Sequence, residues 1–318
     1  EYWEHIHSTV PITHAPAAIS APRAYDMAAA LLLHNFVLGD LIRWLGGDYT
    51  HDHIDMAPIE AAVAAIRGHQ RPPGFPIVDY DRALHVLRHS APLSAAYTCK
   101  RDDVLLRNLY NNHSGARNAT AAVLKKIVDG CNNQFLLVFP RWIFRFIYGL
   151  FLSPIGFIER KGKGRVVVDP SAHIHAAADT GALNDGMSKD DAKQRPPPFY
   201  ASAQLCHWKH IWNLRITHPS DNILLYKENI NAAFHRCRYH PDVSAAYAYV
   251  WEHWLLIHLG LVFGGRNSPG WFCLVSELRA AIAMYYDGLH DCPLHPLVSR
   301  IVFPPPASAA EIPDLSPR

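Results

Sequence analysis

What this sequence lacks narrows it first. No charge of one sign dominates: 30 Lys and Arg stand against 28 Asp and Glu, a net +2. A chain-wide basic field of the kind that advertises nucleic acid is therefore excluded, although a local basic strip can still bind one. Charge of either sign is also scarce, 18% against 49% hydrophobic residues, which excludes a disordered polyelectrolyte. Its 318 residues suffice for one large domain or two small ones. There is no C-x-x-C pair. The six cysteines, Cys99, Cys131, Cys206, Cys237, Cys273 and Cys292, are scattered and read as reduced thiols rather than a disulfide frame or structural zinc. An intracellular location, in cytoplasm or nucleus, is therefore expected. No secretory leader precedes the sequons at Asn112 and Asn118, which read as chance. No internal repeat is visible, and no clean membrane span. The long apolar stretch from Phe135 to Ile158 carries Pro140, Arg141, Arg145 and Pro154, and each central arginine would cost roughly 2.5–3.5 kcal/mol in a bilayer. A soluble amphipathic element with snorkelling arginines is expected there, and no membrane partner.

Histidine, by contrast, is plentiful. The 21 imidazoles make solubility and anion affinity depend on pH, a bulk property rather than a site. The chain opens on Glu1 and closes on a polar, proline-rich stretch from Phe303 to Arg318, so both ends read as cuts in a longer polypeptide.

The first third reads as helical. Ala24 to Leu45 is apolar at helical spacing and halts at Gly46-Gly47, Pro58 to Arg67 stops before Gly68, and Asp79 can cap a stretch reaching His89. These helices are expected to pack as a small bundle. Asn118 to Val128 predicts a further helix, with Asn118 as N-cap and Gly130 just past its end. After Ser153 the texture changes. Pro154 to Glu159 and Arg165 to Asp169 are short β-branched or aromatic runs around Arg160-Lys161-Gly162-Lys163-Gly164, the pattern of a hairpin with a basic, glycine-rich tip. Such a tip suits phosphate, or is simply a solvated turn. Asp179 to Pro198 predicts a long loop, Ile223 to Tyr226 a strand, and Ala232 onward a helix. His240-Pro241-Asp242 predicts a turn into a short helix, and Trp251 to Leu261 predicts strands. A helix is expected from Pro269 to Tyr285, with Ser268 as its N-cap.

Three segments in order resemble one family. Ser153-Pro154-Ile155-Gly156-Phe157-Ile158-Glu159-Arg160-Lys161-Gly162-Lys163-Gly164-Arg165-Val166-Val167-Val168-Asp169 resembles the fingers hairpin of retroelement reverse transcriptases, in which a lysine-rich turn precedes an arginine and a hydrophobic-hydrophobic-Asp strand. Asn229-Ile230-Asn231-Ala232-Ala233-Phe234-His235-Arg236, trailed by His240-Pro241, is similar to the family's first palm motif, Asp-hydrophobic-x-x-Ala-Phe. Leu259-Gly260-Leu261-Val262-Phe263-Gly264-Gly265-Arg266-Asn267-Ser268-Pro269 is similar to the second, Phe-Gly-x-x-Asn-Ser-Pro. The likeness covers about Phe135 to Tyr285 and does not bear on residues 1–130.

The resemblance implies RNA-directed DNA synthesis in a mobile element, with an RNA template, a DNA primer, deoxynucleoside triphosphates and Mg²⁺. In that chemistry two ions held by palm carboxylates activate the primer hydroxyl and bracket the triphosphate. By resemblance Lys161, Lys163 and Arg165 neutralise phosphates, and Phe234 stacks under the sugar and excludes a 2′-hydroxyl. Phe263 and Gly264 pack on the nascent base pair, while Arg266, Asn267, Ser268 and Pro269 hold template and primer. The metal position falls on Asn229, with the Ile230 backbone as a further ligand. Here the sequence departs from the family, because Asn229 offers a neutral amide where a carboxylate is required. The paired-Asp hairpin is missing as well: Tyr285-Tyr286-Asp287-Gly288 comes too early and has no second Asp. The tail Ile301 to Pro306 suits a proline-containing insert, which would put the acidic pair beyond Arg318, in the rest of a longer polyprotein.

The resulting expectation is an α+β chain: a helical region over 1–130, an incomplete fingers and palm over 131–290, and a proline-rich tail over 291–318. This chain alone is not expected to polymerise. Two other readings compete with it. One is a non-catalytic nucleic-acid-binding or relic domain, favoured by Asn229 together with the missing Asp pair. The other is a histidine-based metal protein, suggested by His5-Ile6-His7, His51-Asp52-His53, His173-Ile174-His175 and Cys206-His207 with His210, although no group has a known four-ligand spacing.

Overall fold

The computed structural model describes residues 21–51, 54–68, 78–92, 112–160, 162–173, 181–186, 208, 211–222 and 232–286. Helices and two small antiparallel sheets among them make a mixed α+β chain, as the sequence predicts at that level. They fall into two compact units, each assembled from separated stretches. One lies within Glu1–Ile54, Arg88–Lys189 and Ala232–Pro269, the other within Asp55–Leu87, Asp190–Asn231 and Gly270–Arg318.

The first unit is organised by a three-stranded sheet in the order β1-β5-β4, with β1 Leu136–Pro140, β4 Ala248–Trp251 and β5 Trp254–His258. β5 lies in the middle and is buried along its whole length, as is β1. Its Trp-Leu-Leu-Ile-His run suits a strand covered on both faces. Antiparallel pairing sets Leu136 opposite His258 and Phe139 opposite Leu255. Alternation then sends Leu137, Phe139, Leu255 and Ile257 to one face. There they join Leu31 of α1 (Ala21–Leu33) and Leu41 and Ile42 of α2 (Leu38–Leu45) in the main apolar core. Leu136 and His258 point the opposite way, a fact that matters for the site.

Of the predicted N-terminal bundle, the stretch Ala24 to Leu45 is instead laid on this sheet, while the other two helical stretches fall largely in the second unit. The predicted single helix from Ala24 to Leu45 is also broken, with α1 and α2 bent by 112°. Asn35 and Phe36 take positive φ of 53° and 61° at the break, and the Phe36 N–H returns to the Leu31 carbonyl at 2.9 Å. That is a left-handed helix stop written without glycine or proline, with Asn35 its only sequence signal. No single described helix is long and apolar enough to cross a membrane; only this bent pair passes on length and composition together.

The predicted hairpin forms: β2 Ile155–Arg160 pairs antiparallel with β3 Lys163–Val168. Ile155 and Val168 anchor its base, buried to 0% and 2% exposure. The Asn112 side chain ties that base to the main sheet, accepting from the Ile155 N–H at 2.9 Å and donating to the Val250 carbonyl at 2.8 Å. This gives the first sequon asparagine a structural use. His113 reaches Asp169 at 3.0 Å across the same base.

The segment around Asn118 differs from expectation. Asn118 ends the short α5 (Ser114–Asn118), and α6 runs Thr120–Asn132 after a break at Ala119. Gly130 lies inside α6, not beyond it, and a methyl group there would press on the Leu136 side chain at 2.6 Å. Asp79 does cap its helix: its carboxylate accepts from the Arg82 N–H at 3.1 Å at the start of α4 (Tyr80–His89). In that second unit α3 spans Met56–Gly68, and Arg67 pairs with Asp81 at 2.7 Å.

The short α7, Ala233–Arg236, starts after Ala232 at φ 54°, and a 3-10 turn Pro241–Ala246 follows His240-Pro241 as predicted. Helix α8, Ser268–Tyr286, matches the predicted terminal helix.

Candidate functional site

The register of the hairpin decides where its cations point. Directly opposed residues share a face, and Arg160 faces Lys163 while Ile158 faces Arg165. Arg160, Lys163 and Arg165 therefore stand on one face of the ribbon, with Phe157 and Val166 on the other. All three cations are exposed. None has an ion pair or hydrogen bond among the described residues.

Arg165 leads from this face to the other two segments. Its guanidinium carbon sits 5.4 Å from the centre of the Phe263 ring. Phe263 in turn packs on Phe234 at a centroid distance of 4.8 Å. One residue from each of the three resemblance segments thus meets in a single cluster, although they are far apart in sequence. A guanidinium stacked by its face keeps its N–H edge free for an anion. Cation, aromatic floor and exposed backbone together can hold a phosphate-bearing, flat ligand.

Backbone contacts fix that floor. The Val168 N–H donates to the Phe263 carbonyl at 3.0 Å, continuing β3 onto the Phe263 turn. Gly264 adopts φ +106°, and a side chain there would collide with the Val168 carbonyl and Pro170. Only glycine fits so close an approach at that φ. Next to it, Tyr239 is wholly buried, its hydroxyl 3.1 Å from Ser268 Oγ and accepting from the Val262 N–H at 3.4 Å. Burial pushes that phenol up to about 12, so it stays neutral. Gly260 touches the His235 backbone so tightly that any side chain would overlap it.

Behind the floor, on the sheet face away from α1 and α2, lies a stack of rings. Phe135 and His235 are 5.5 Å apart, His235 and His258 5.6 Å, and His258 and Tyr249 5.5 Å. His235 also meets the Phe263 ring edge-on at 6.1 Å. Burial, with Arg238 nearby, holds the His235 imidazole down at about 4 despite a hydrogen bond with the Leu261 backbone. Burial and the neighbouring His235 push His258 well below the ordinary imidazole value. Neither His258 ring nitrogen has a partner among the described residues. Neutral imidazoles here act as aromatic packing.

The remaining predicted site residues divide. Arg266 and Pro269 are exposed beside the floor, while Ser268 is 1% exposed with its hydroxyl committed to Tyr239. Asn267 turns its amide nitrogen inward, without a partner among the described residues. Lys161, Asn229 and Ile230 lie outside the described residues, as do the predicted strand Ile223 to Tyr226 and the 291–318 tail. Asn229 offers a neutral amide where the resemblance calls for a carboxylate ligand to magnesium, and among the described residues no group of three or more His, Cys, Asp or Glu could hold a metal ion.

Of the histidine pairs, His51 is buried and its Nε2 accepts from the Arg238 N–H at 3.0 Å, and His173 reaches Asp185 at 3.2 Å. Their other members lie outside the described residues.

Sequence reasoning missed two residues of the floor's support. Tyr239 was hidden in a turn between motifs. Asn184 was hidden in the predicted loop from Asp179 to Pro198, where a 3-10 turn, Leu183–Asp185, carries it inward to 8% exposure. The only available signal was an amide among small residues. No family model, curated protein or solved structure matches the chain.

Proposed function

We propose that this chain is a reverse-transcriptase-like fingers and palm region that binds a deoxynucleoside triphosphate against the Phe263 floor. One observation carries the reading: Arg165, Phe263 and Phe234 form one cluster. The family likeness selects those residues from three separate segments, and nothing in their sequence spacing alone requires them to touch. In this reading Arg165, Lys163 and Arg160 draw the phosphates through charge-assisted hydrogen bonds. Phe263 underlies the base and Phe234 the sugar. Arg266 and Pro269, both exposed, face the RNA template or DNA primer.

Nucleotide transfer is not part of the function proposed for this chain as it stands. Asn229 replaces the acidic metal ligand, so binding without synthesis is the better-supported activity, and RNA-directed DNA synthesis is the ancestral one. Titration calorimetry with a deoxynucleoside triphosphate tests this, with the ribonucleotide and inorganic triphosphate in parallel. Saturable binding that weakens several-fold in Arg165→Ala is expected. In Phe234→Ala the preference for the deoxy sugar should narrow. Absence of binding, or binding indifferent to Arg165, overturns the reading.

A further inference from the structure

Asn184 is hydrogen-bonded on every side. Its Nδ2 donates to Ser171 Oγ at 2.7 Å and to the Gly264 carbonyl at 3.0 Å, while its Oδ1 accepts from the Arg266 N–H at 3.1 Å. On the main chain, its N–H donates to the Pro170 carbonyl at 3.0 Å and its carbonyl accepts from the Arg266 guanidinium at 3.3 Å. Three segments meet on this residue: the turn after β3, its own 3-10 turn, and the Gly264–Arg266 backbone.

We infer that Asn184 is a positioning residue, which holds the Phe263-Gly264 turn against the end of β3 and so sets the spacing between Arg165 and the aromatic floor. The inference rests on the triphosphate-binding reading above. Chemistry selects the side chain. The site needs a donor toward the Gly264 carbonyl and an acceptor toward the Arg266 N–H, within one short planar group. Aspartate has the same shape and satisfies the second demand, but it sets a carboxylate oxygen against the Gly264 carbonyl and the Ser171 hydroxyl. That hydroxyl can rotate to donate; the carbonyl cannot. Serine and alanine leave this partly buried carbonyl and N–H without the amide that pairs them. Gly264 has the complementary constraint, since its φ and the nearness of Val168 and Pro170 leave no room for a side chain there. Asn184 acts on the ligand only through this turn.

The test combines hydrogen exchange and triphosphate titration on the full chain, comparing the parent with Asn184→Asp and with Ser171→Ala, which removes only one partner. Thermal unfolding is recorded for each. The expected result is faster exchange of the Val168 amide in Asn184→Asp, with deoxynucleotide affinity about tenfold lower. Ser171→Ala should show a two- to threefold loss. Should Asn184→Asp fail to fold, Ser171→Ala carries the test, and unchanged exchange and affinity in it overturn the proposal. Unchanged exchange in a folded Asn184→Asp overturns the clamp whatever the ligand does. Faster exchange with unchanged affinity in a chain that binds triphosphate overturns the positioning role. A parent chain that binds no triphosphate overturns the functional reading instead, and the exchange result then decides the clamp by itself.

Discussion

The Arg165 guanidinium stands over the Phe263 ring at 5.4 Å, joining the cationic face of a two-stranded ribbon to a turn almost a hundred residues later in the chain. Such a contact contributes about 0.5–1 kcal/mol where exposed, too little to organise the fold. The turn is held instead by the Val168 to Phe263 backbone hydrogen bond and by the closeness that Gly264 permits. The cation–ring contact is a consequence of that framework, and it leaves Arg165 free to exchange its aromatic neighbour's company for a ligand's charge.

The framework makes Gly264→Ala a severe change for so small a group. A methyl at φ +106° is strained, and its only space is occupied by the Val168 carbonyl and Pro170. A loss of about 2–3 kcal/mol is expected, read as a lowered urea midpoint, and nucleotide binding should fall with it. Gly162, at φ +71° in the hairpin tip with nothing near its missing side chain, provides the contrast: Gly162→Asn should cost well under 1 kcal/mol.

Tyr239 and Ser268 form a buried hydroxyl pair at 3.1 Å. Tyr239→Phe and Ser268→Ala should each destabilise by about 1–2 kcal/mol, because each strands a partner inside the protein. Their effects should not add. In a double-mutant cycle the pair is expected to couple by roughly 0.5–1 kcal/mol, and strict additivity would show that the two hydroxyls do not share a bond.

The His235–His258 stack predicts acid sensitivity. In the unfolded chain both imidazoles titrate near the ordinary histidine value; folded, His235 is held down at about 4 and His258 is also depressed. Above the ordinary value both states are neutral and the pair is silent. As pH falls from about 6.5 toward 4 the unfolded state takes up protons that the folded state refuses, so stability is lost across that window. A loss of roughly 3 kcal/mol or more is expected across that window. His258→Phe keeps the stacked ring and removes two unpartnered nitrogens, so it should raise the melting temperature at neutral pH and flatten the decline. A profile identical to the parent's would contradict this account of the pair.

Legibility in the sequence followed the range of the interaction. The hairpin was readable because alternation and a glycine-rich basic tip are local, and its residues became β2 and β3. Asp79 was readable as a cap for the same reason. The α1–α2 break was not, since a left-handed pair at Asn35 and Phe36 without glycine or proline leaves a continuous apolar period. Gly130 was misread as a helix stop because its close neighbour, the Leu136 side chain, belongs to the next strand. The candidate site was half legible. Motif likeness pointed to Arg165, Phe234 and Phe263, but it gave no hint of Asn184, whose contacts lie 13 to 82 positions away.

The most direct measurement is photo-crosslinking with an azido-substituted deoxynucleoside triphosphate, followed by peptide mapping. The account predicts label on the peptides containing Phe263 or Phe234, removed by excess unmodified deoxynucleotide and strongly reduced in Arg165→Ala. Label confined to other peptides, or label indifferent to both competitor and Arg165, would contradict it.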